Sequence, residues 1–319
     1  MSSKIVLLLL SVAVCLAATV LAQNPTPPKA AKVWPPWSPP PTNGLNFTVP
    51  QIDDVPDLHG DIVDPQLVIF FAGNQFMATH ELMEAFRQEH PEVQRIYWET
   101  LPPGILAKQI DQGALIIGNL RIAIKPDIYT AGARRIQQFQ KEDRFESVET
   151  YAQNKLAIMV REGNPKGIRS LKDLARNDVR ISMPNPEWEG VANLITASYK
   201  KAGGDELVNR IMKTKVQDGT TFLTHIHHRQ TPIRIMLGES DAGVVWYSEA
   251  PFQQMIGNPI AMVEIPPEQN MNGIYQAGIF KDAPHAEAAR AFAKFLLSDK
   301  AQAIFSKYGF SGPPQEVKH

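Results

Sequence analysis

The chain has 319 residues, 44% of them hydrophobic and 20% charged, with a formal net charge of −1. That length allows roughly two domains of about 150 residues each. The balance of 32 Lys plus Arg against 33 Asp plus Glu excludes a general nucleic-acid binder, which needs a basic excess to displace counterions. The single cysteine, Cys15, excludes an intramolecular disulfide and a cysteine-built zinc or iron–sulfur centre.

Lys4 opens an apolar run from Ile5 to Leu21 that ends Val20-Leu21-Ala22. This predicts a signal peptide over residues 1–22, cleaved before Gln23, and hence a periplasmic protein secreted across the inner membrane. The competing reading is a membrane anchor, and a run of this length is at the short limit for spanning. A lipid anchor at Cys15 is disfavoured because Val14 stands where a small residue is expected. Residues 23–65 read as a Pro-rich linker, with Pro27-Pro28 and Pro39-Pro40-Pro41 favouring extended polyproline conformations. Trp34 and Trp37 leave open whether the linker is a plain spacer, a strap over the folded body or a docking segment for a partner.

The folded region begins near Gln66. Leu67 to Phe71 is a continuous apolar run of the kind a buried parallel strand requires, and Met77, Leu82, Met83 and Phe86 follow at helical spacing. Glu92 to Trp98 reads as a strand and Ile105 to Gln112 as a helix. Ile116 to Leu120 reads as a hairpin turn, and Asp127 to Ala131 as a strand end. A second unit then starts with the strand Leu156 to Val160. Ser170 stands as an N-cap before a short helix, Val179 to Met183 is a strand, and Glu189 to Lys201 is a helix closed by Gly203-Gly204. Pro232 to Leu237 reads as a helix with proline in its first turn and Thr231 as its N-cap, and Ala242 to Trp246 as a strand. Ala286 to Leu297 and Lys300 to Tyr308 are helices by period. Such alternation implies α/β lobes built on sheets flanked by helices.

Three segments carry a family likeness. They are Gly163-Asn164-Pro165-Lys166-Gly167 running on to Leu171-Lys172-Asp173-Leu174, then Gly238-Glu239-Ser240-Asp241-Ala242-Gly243-Val244-Val245-Trp246, and the ending Ala286 to Phe310. Together, in this order and spacing, they resemble the periplasmic solute-binding proteins of ABC importers, of the molybdate/tungstate-binding kind. The resemblance implies the two-lobed type II periplasmic binding protein fold with a ligand cleft between the lobes. Lobe one would be residues 66–151 plus 264–312, lobe two residues 152–263, and residues 313–319 a tail. It also implies a monomer that presents its ligand to an ABC permease. No nucleophile elbow, phosphate-binding loop or dinucleotide fingerprint is present, so the protein is expected to be a binder and not an enzyme.

The same resemblance implies which loops line the cleft. Asn74 falls where relatives place a hydroxyl donor, though a helix N-cap is its ordinary role. The second loop has Leu101-Pro102-Pro103-Gly104 in place of a serine run, so hydroxyl donors are lost and Gly104 is left to offer its amide. Glu189 is a carboxylate where an oxyanion would be repelled, unless it only complements a helix dipole. The fourth loop holds His225, His227 and His228, three of the eight histidines, with His228 at the aligned contact position and Arg229 as an anion clamp or an interlobe ion pair. Imidazoles suit transition metals. An extended loop would put His225 and His227 on one face, whereas a turn would pair His225 with His228. Trp246 walls the pocket or packs in the core. His59, His80, His90, His285 and His319 read as surface or capping residues.

The expectation is therefore an exported protein that captures a molybdate- or tungstate-like oxyanion. The alternatives are a transition-metal ion or metal complex at His225, His227 and His228 with Glu189 or Glu249, and a periplasmic sensor or accessory protein with a protein partner. No cofactor is required, and a bound transition metal belongs to the second reading alone.

Overall fold

A computed structural model describes residues 45–48, 56–117, 119–187, 189–225 and 227–314. The expected signal peptide, Cys15, Trp34, Trp37 and His319 lie outside these residues. Two sheets organise the rest. The first has seven strands, in the spatial order β1 (Leu45–Thr48), β2 (Pro56–Gly60), β4 (Ile96–Glu99), β3 (Leu67–Phe70), β7 (Ile128–Gly132), β14 (Gly273–Phe280) and β8 (Phe145–Asn154), and the second has five, in the order β11 (Thr221–Leu223), β10 (Ile181–Met183), β12 (Ala242–Trp246), β9 (Leu156–Arg161) and β13 (Ile260–Glu264).

In the first lobe, β3 (Leu67–Phe70) pairs in parallel with β4 (Ile96–Glu99) and with β7 (Ile128–Gly132). All four residues of β3 are buried, as a strand covered on both faces requires. Between these strands run α1 (Phe76–Glu89) and α2 (Pro103–Gln112). The buried face of α1 carries Met77, Leu82, Met83 and Phe86 at helical spacing. Proline stands in the first turn of α2, where its missing N–H costs no bond, and Gly113 closes that helix at φ 67°. The small hairpin of β5 (Leu115–Ile117) and β6 (Leu120–Ile122) forms where it was expected. After α3 (Ala133–Lys141), the chain enters β8 (Phe145–Asn154), which pairs antiparallel with β14 (Gly273–Phe280). The final helices, α8 (Ala286–Leu296) and α9 (Asp299–Lys307), pack on β14 and α1 and so belong to this lobe.

One boundary needs correction. Within the span 23–65 expected to be a linker, β1 (Leu45–Thr48) and β2 (Pro56–Gly60) form an antiparallel pair, and β2 pairs with β4. Proline does not prevent this, because Pro56 opens its strand, a position where a missing N–H is tolerated.

The second lobe begins at β9 (Leu156–Arg161), one residue after β8 ends. Its sheet adds β10 (Ile181–Met183), β11 (Thr221–Leu223), β12 (Ala242–Trp246) and β13 (Ile260–Glu264). β10 runs parallel to both β11 and β12, while β9 and β13 complete the sheet antiparallel. Ser170 forms a capping box with Asp173, as its position suggested, although the turn it starts is a 3-10 helix. The helix α4 (Val191–Asn209) does not close at Gly203-Gly204. It kinks there, with Gly204 at φ 66°, and resumes. The short helices α5 (Lys215–Gln217), α6 (Thr231–Met236) and α7 (Glu249–Met255) complete the lobe. Thr231 is inside α6 and not its cap, since its hydroxyl shares a 2.9 Å hydrogen bond with that of Ser182.

The chain crosses between the sheets at Lys155 and again between Glu264 and Gly273. Asn270, in the second crossing, clamps the first. Its Oδ1 accepts from the Leu156 N–H and its Nδ2 donates to the Leu156 carbonyl, each at 2.9 Å. A buried apolar cluster that includes Tyr151, Leu156, Trp246 and Tyr275 runs through this junction.

Candidate functional site

Parallel strands of both sheets end at the junction of the lobes, where ligands of open α/β sheets are held. From lobe one come the turn Gly73–Gln75 after β3 and the start of α2 after β4. From lobe two come the loop carrying Glu189 after β10, the turn His228–Gln230 after β11, and Glu249 at the head of α7 after β12.

A buried carboxylate–imidazole–carboxylate array sits in lobe two. Glu189 Oε2 is 2.5 Å from His228 Nδ1 and accepts the His228 backbone N–H at 2.9 Å, while Glu189 Oε1 accepts from the Thr224 hydroxyl at 2.7 Å. On the other side of the ring, His228 Nε2 is ion-paired with Glu249 Oε1 at 3.0 Å. The Trp246 N–H donates to Glu249 Oε2 at 3.0 Å. Each carboxylate thus turns one oxygen to the imidazole and has the other held by a separate donor. Burial alone would push the His228 pKa down, but Glu249 and Glu189 outweigh it and hold the imidazolium up to about 10.

His227 lies beside His228 with ring centroids 4.3 Å apart. Its Nδ1 accepts the Arg229 backbone N–H at 3.0 Å, and its side chain reaches lobe one. Burial, then His228 and Arg229, push its pKa well below the usual value, so His227 is neutral. Glu189, His227 and His228 each offer a ligand atom within 4.8 Å of the others, and all three are buried.

Arg229 points the other way. Its Nη2 is 2.6 Å from Asp57 Oδ1 on β2, its Nη1 donates to the Gly73 carbonyl at 3.2 Å, and its guanidinium lies 5.3 Å from the Phe76 ring centroid. Of the two roles open to it, Arg229 takes the interlobe ion pair. Gly73 is required where it stands, because a Cβ there would fall 2.7 Å from the Thr100 carbonyl and 2.8 Å from His227 Nε2.

The structure brings together Glu189, His227, His228 and Arg229, all expected at the cleft, with Glu249. It separates others. His225 is exposed, its ring edge-on to Phe222 at 5.2 Å, so neither expected pairing of His225 forms. Asn74 caps no helix, and its Nδ2 donates to the Tyr275 hydroxyl at 2.5 Å. Gly104 lies in the first turn of α2. Trp246 packs on Gly273, where a Cβ would fall 2.3 Å from the indole, and 5.7 Å from the Tyr275 ring. Of the isolated histidines, His59 stacks on Trp98 and His285 pairs with the buried Asp127 at 2.9 Å. Sequence reading missed Asp57, whose partner is 172 residues away, and no local signal announces it. Among the described residues no helix is long and apolar enough to cross a membrane.

Comparison with known proteins agrees with this architecture. The bacterial extracellular solute-binding protein family matches residues 67–311. The chain is 26% identical to YvgL of Bacillus subtilis (strain 168), named as an ABC transporter substrate-binding lipoprotein, over 77% of this chain and 86% of that one. Its fold is similar to the sulfate-binding protein SubI from Mycobacterium tuberculosis H37Rv, with a TM-score of 0.66 at 19% identity over 79% and 87% of the two chains. It is also similar to the Azotobacter vinelandii periplasmic molybdate-binding protein, with a TM-score of 0.62 at 19% identity over 78% of this chain and all of that one. With both lobes matched and the polar junction at the strand ends between them, the chain belongs to the bacterial extracellular solute-binding protein family.

Proposed function

We propose that the protein is exported, captures a small inorganic ion where its lobes meet, and delivers it to an ABC-type membrane importer. The observation that carries this is the convergence of both lobes on one buried polar junction in a chain of a solute-binding family. Lobe closure around a solute is the working motion of such two-lobed proteins, and Asn270 clamps the segments about which they would hinge.

Two ligand classes divide the reading. The sulfate- and molybdate-binding names of the fold's relatives favour an oxyanion, with Asn74, Gly104 and Arg229 as its donors. The charges at the junction count against it. Arg229 is paired with Asp57, and His228 lies between Glu189 and Glu249, so three carboxylates face two cations. A dianion brought there would meet net repulsion where water is scarce.

The test of solute capture is made in cells and in solution together. Deleting the gene should abolish ATP-dependent uptake of one ion, and the purified protein should rise in Tm with that same ion. Unchanged uptake, with the protein recovered on a sensor kinase, would overturn the importer reading in favour of a sensory one.

A further inference from the structure

We propose that Asp57 is a built-in anion: between the lobes its carboxylate occupies the seat that a small oxyanion would take on Arg229, and it thereby shuts singly charged oxyanions out of the junction. This names a solute class that the capture site refuses, and it rests on the reading of that site as one that captures a solute. Asp57 lies outside the residues matched by the family. The match starts at residue 67, whereas β2 precedes it and joins lobe one by pairing with β4. The backbone fixes the placement, since the Thr100 N–H donates to the Asp57 carbonyl at 2.9 Å.

One carboxylate oxygen of Asp57 draws donors from both lobes. Its Oδ1 accepts from Arg229 Nη2 of lobe two at 2.6 Å and from the Thr100 hydroxyl of lobe one at 3.4 Å. An anion captured between two lobes needs the same arrangement, with a charge-assisted bond from one side and a neutral donor from the other. The position also fits. Thr100 directly follows β4 and Arg229 stands in the turn after β11, so both donors lie beyond strand ends at the junction. Asp57 and Arg229 are at 0% and 2% exposure, so no solute reaches the guanidinium while the carboxylate holds it.

Charge decides which solutes are refused. Without Asp57, Glu189 and Glu249 balance His228 and Arg229. The Asp57 carboxylate adds one negative charge to that balance, and a singly charged oxyanion in its place would add the same. An anion brought in beside Asp57 would meet both cations already engaged, His228 between two carboxylates and Arg229 with Asp57. A buried charge without a partner is costly, so the anion stays out.

The test replaces the internal carboxylate with a soluble one. In the full chain, Asp57→Ala leaves room at Arg229 for formate, a carboxylate of the size removed. Titration calorimetry should show one equivalent of formate bound about 100-fold more tightly than by the wild type, the scale of restoring a buried pair. Nitrate, planar and singly charged, should behave likewise. Small-angle scattering should show formate drawing the lobes of Asp57→Ala back to the wild-type separation. Arg229→Met in the Asp57→Ala background should abolish the binding. If Asp57→Ala folds poorly, refolding in formate should restore the wild-type circular dichroism, and chloride at the same concentration should not. Equal restoration by chloride would overturn the proposal. So would formate binding to Asp57→Ala no tighter than to the wild type, or binding that survives Arg229→Met. So, too, would a wild type that takes one equivalent of nitrate through Arg229, a result that would leave solute capture standing. Ion uptake unchanged on gene deletion would remove the importer and leave the formate result as it was.

Discussion

The two lobes bring charge to their junction by different means. Lobe two carries Glu189, His227, His228, Arg229 and Glu249 on loops and helix heads beyond its strand ends. Lobe one carries Asp57 on a strand, β2, whose direction is set by pairing with β4. Loop residues can be re-aimed by small backbone changes. A strand residue cannot turn without shifting its register. Lobe two's charged groups are therefore free to be re-aimed, whereas lobe one's anchor is fixed with the register of its sheet.

The strongest way to break that contrast is Asp57→Ala. It leaves Arg229 buried beside a carbonyl without its carboxylate, and removing one member of a buried pair costs about 3–5 kcal/mol. Urea denaturation should show the loss, and small-angle scattering should show a wider separation of lobes. An unchanged midpoint would mean that the pair does not hold the lobes.

Lobe one has a second buried carboxylate, Glu99, which among the described residues takes no cation as its partner. Glu99 is fully buried, accepts from Tyr97 at 2.7 Å and Gln109 at 2.9 Å, and burial pushes its pKa up to about 7. The folded state keeps this proton to about pH 7, whereas the unfolded chain releases it near 4.5. Stability is therefore lost as pH rises from 4.5 to about 7, by of order 3 kcal/mol in all. Glu99→Gln should match the wild type near pH 4.5 and exceed it by that order at pH 8, in denaturation run at both values. A difference independent of pH would disprove the buried-acid account.

Gly73→Ala sharpens the contrast at the contact itself. Its Cβ would press on the Thr100 carbonyl and on His227 Nε2, and overpacking of this kind costs about 1–3 kcal/mol. A Tm equal to that of the wild type would show that the lobes have room to move apart there. The smallest effect is expected from Tyr275→Phe, which strips the Asn74 amide of its acceptor at a cost of about 1 kcal/mol by thermal denaturation. A loss of ligand affinity without loss of stability would instead place Asn74 among the binding groups.

The fold was legible because its signals are local. The apolar run Leu67 to Phe70, the spacing of Met77 to Phe86 and the Ser170 capping box are each written within a few residues. β8 was harder to see, since only some of its ten residues are buried and polar ones interrupt the pattern. β1 and β2 were concealed by prolines. At the site, residue types identified Glu189, His228 and Arg229, but partners did not follow from type. That His227 and not His225 joins His228 depends on the path of one loop. That Arg229 meets Asp57 depends on the packing of two lobes.

The Asp57–Arg229 pair also bears on how the molecule assembles. Its members are separated by 172 residues, and Asp57 leaves the ribosome long before Arg229 exists. Contacts of such separation form late, after the loop they close has already been ordered. Each lobe's own sheet is therefore expected to gain protection first and the junction last, so that pulse-labelled refolding would find the Arg229 amide among the final groups to be shielded. A chain halted at that stage would have two finished lobes and an unmade junction between them.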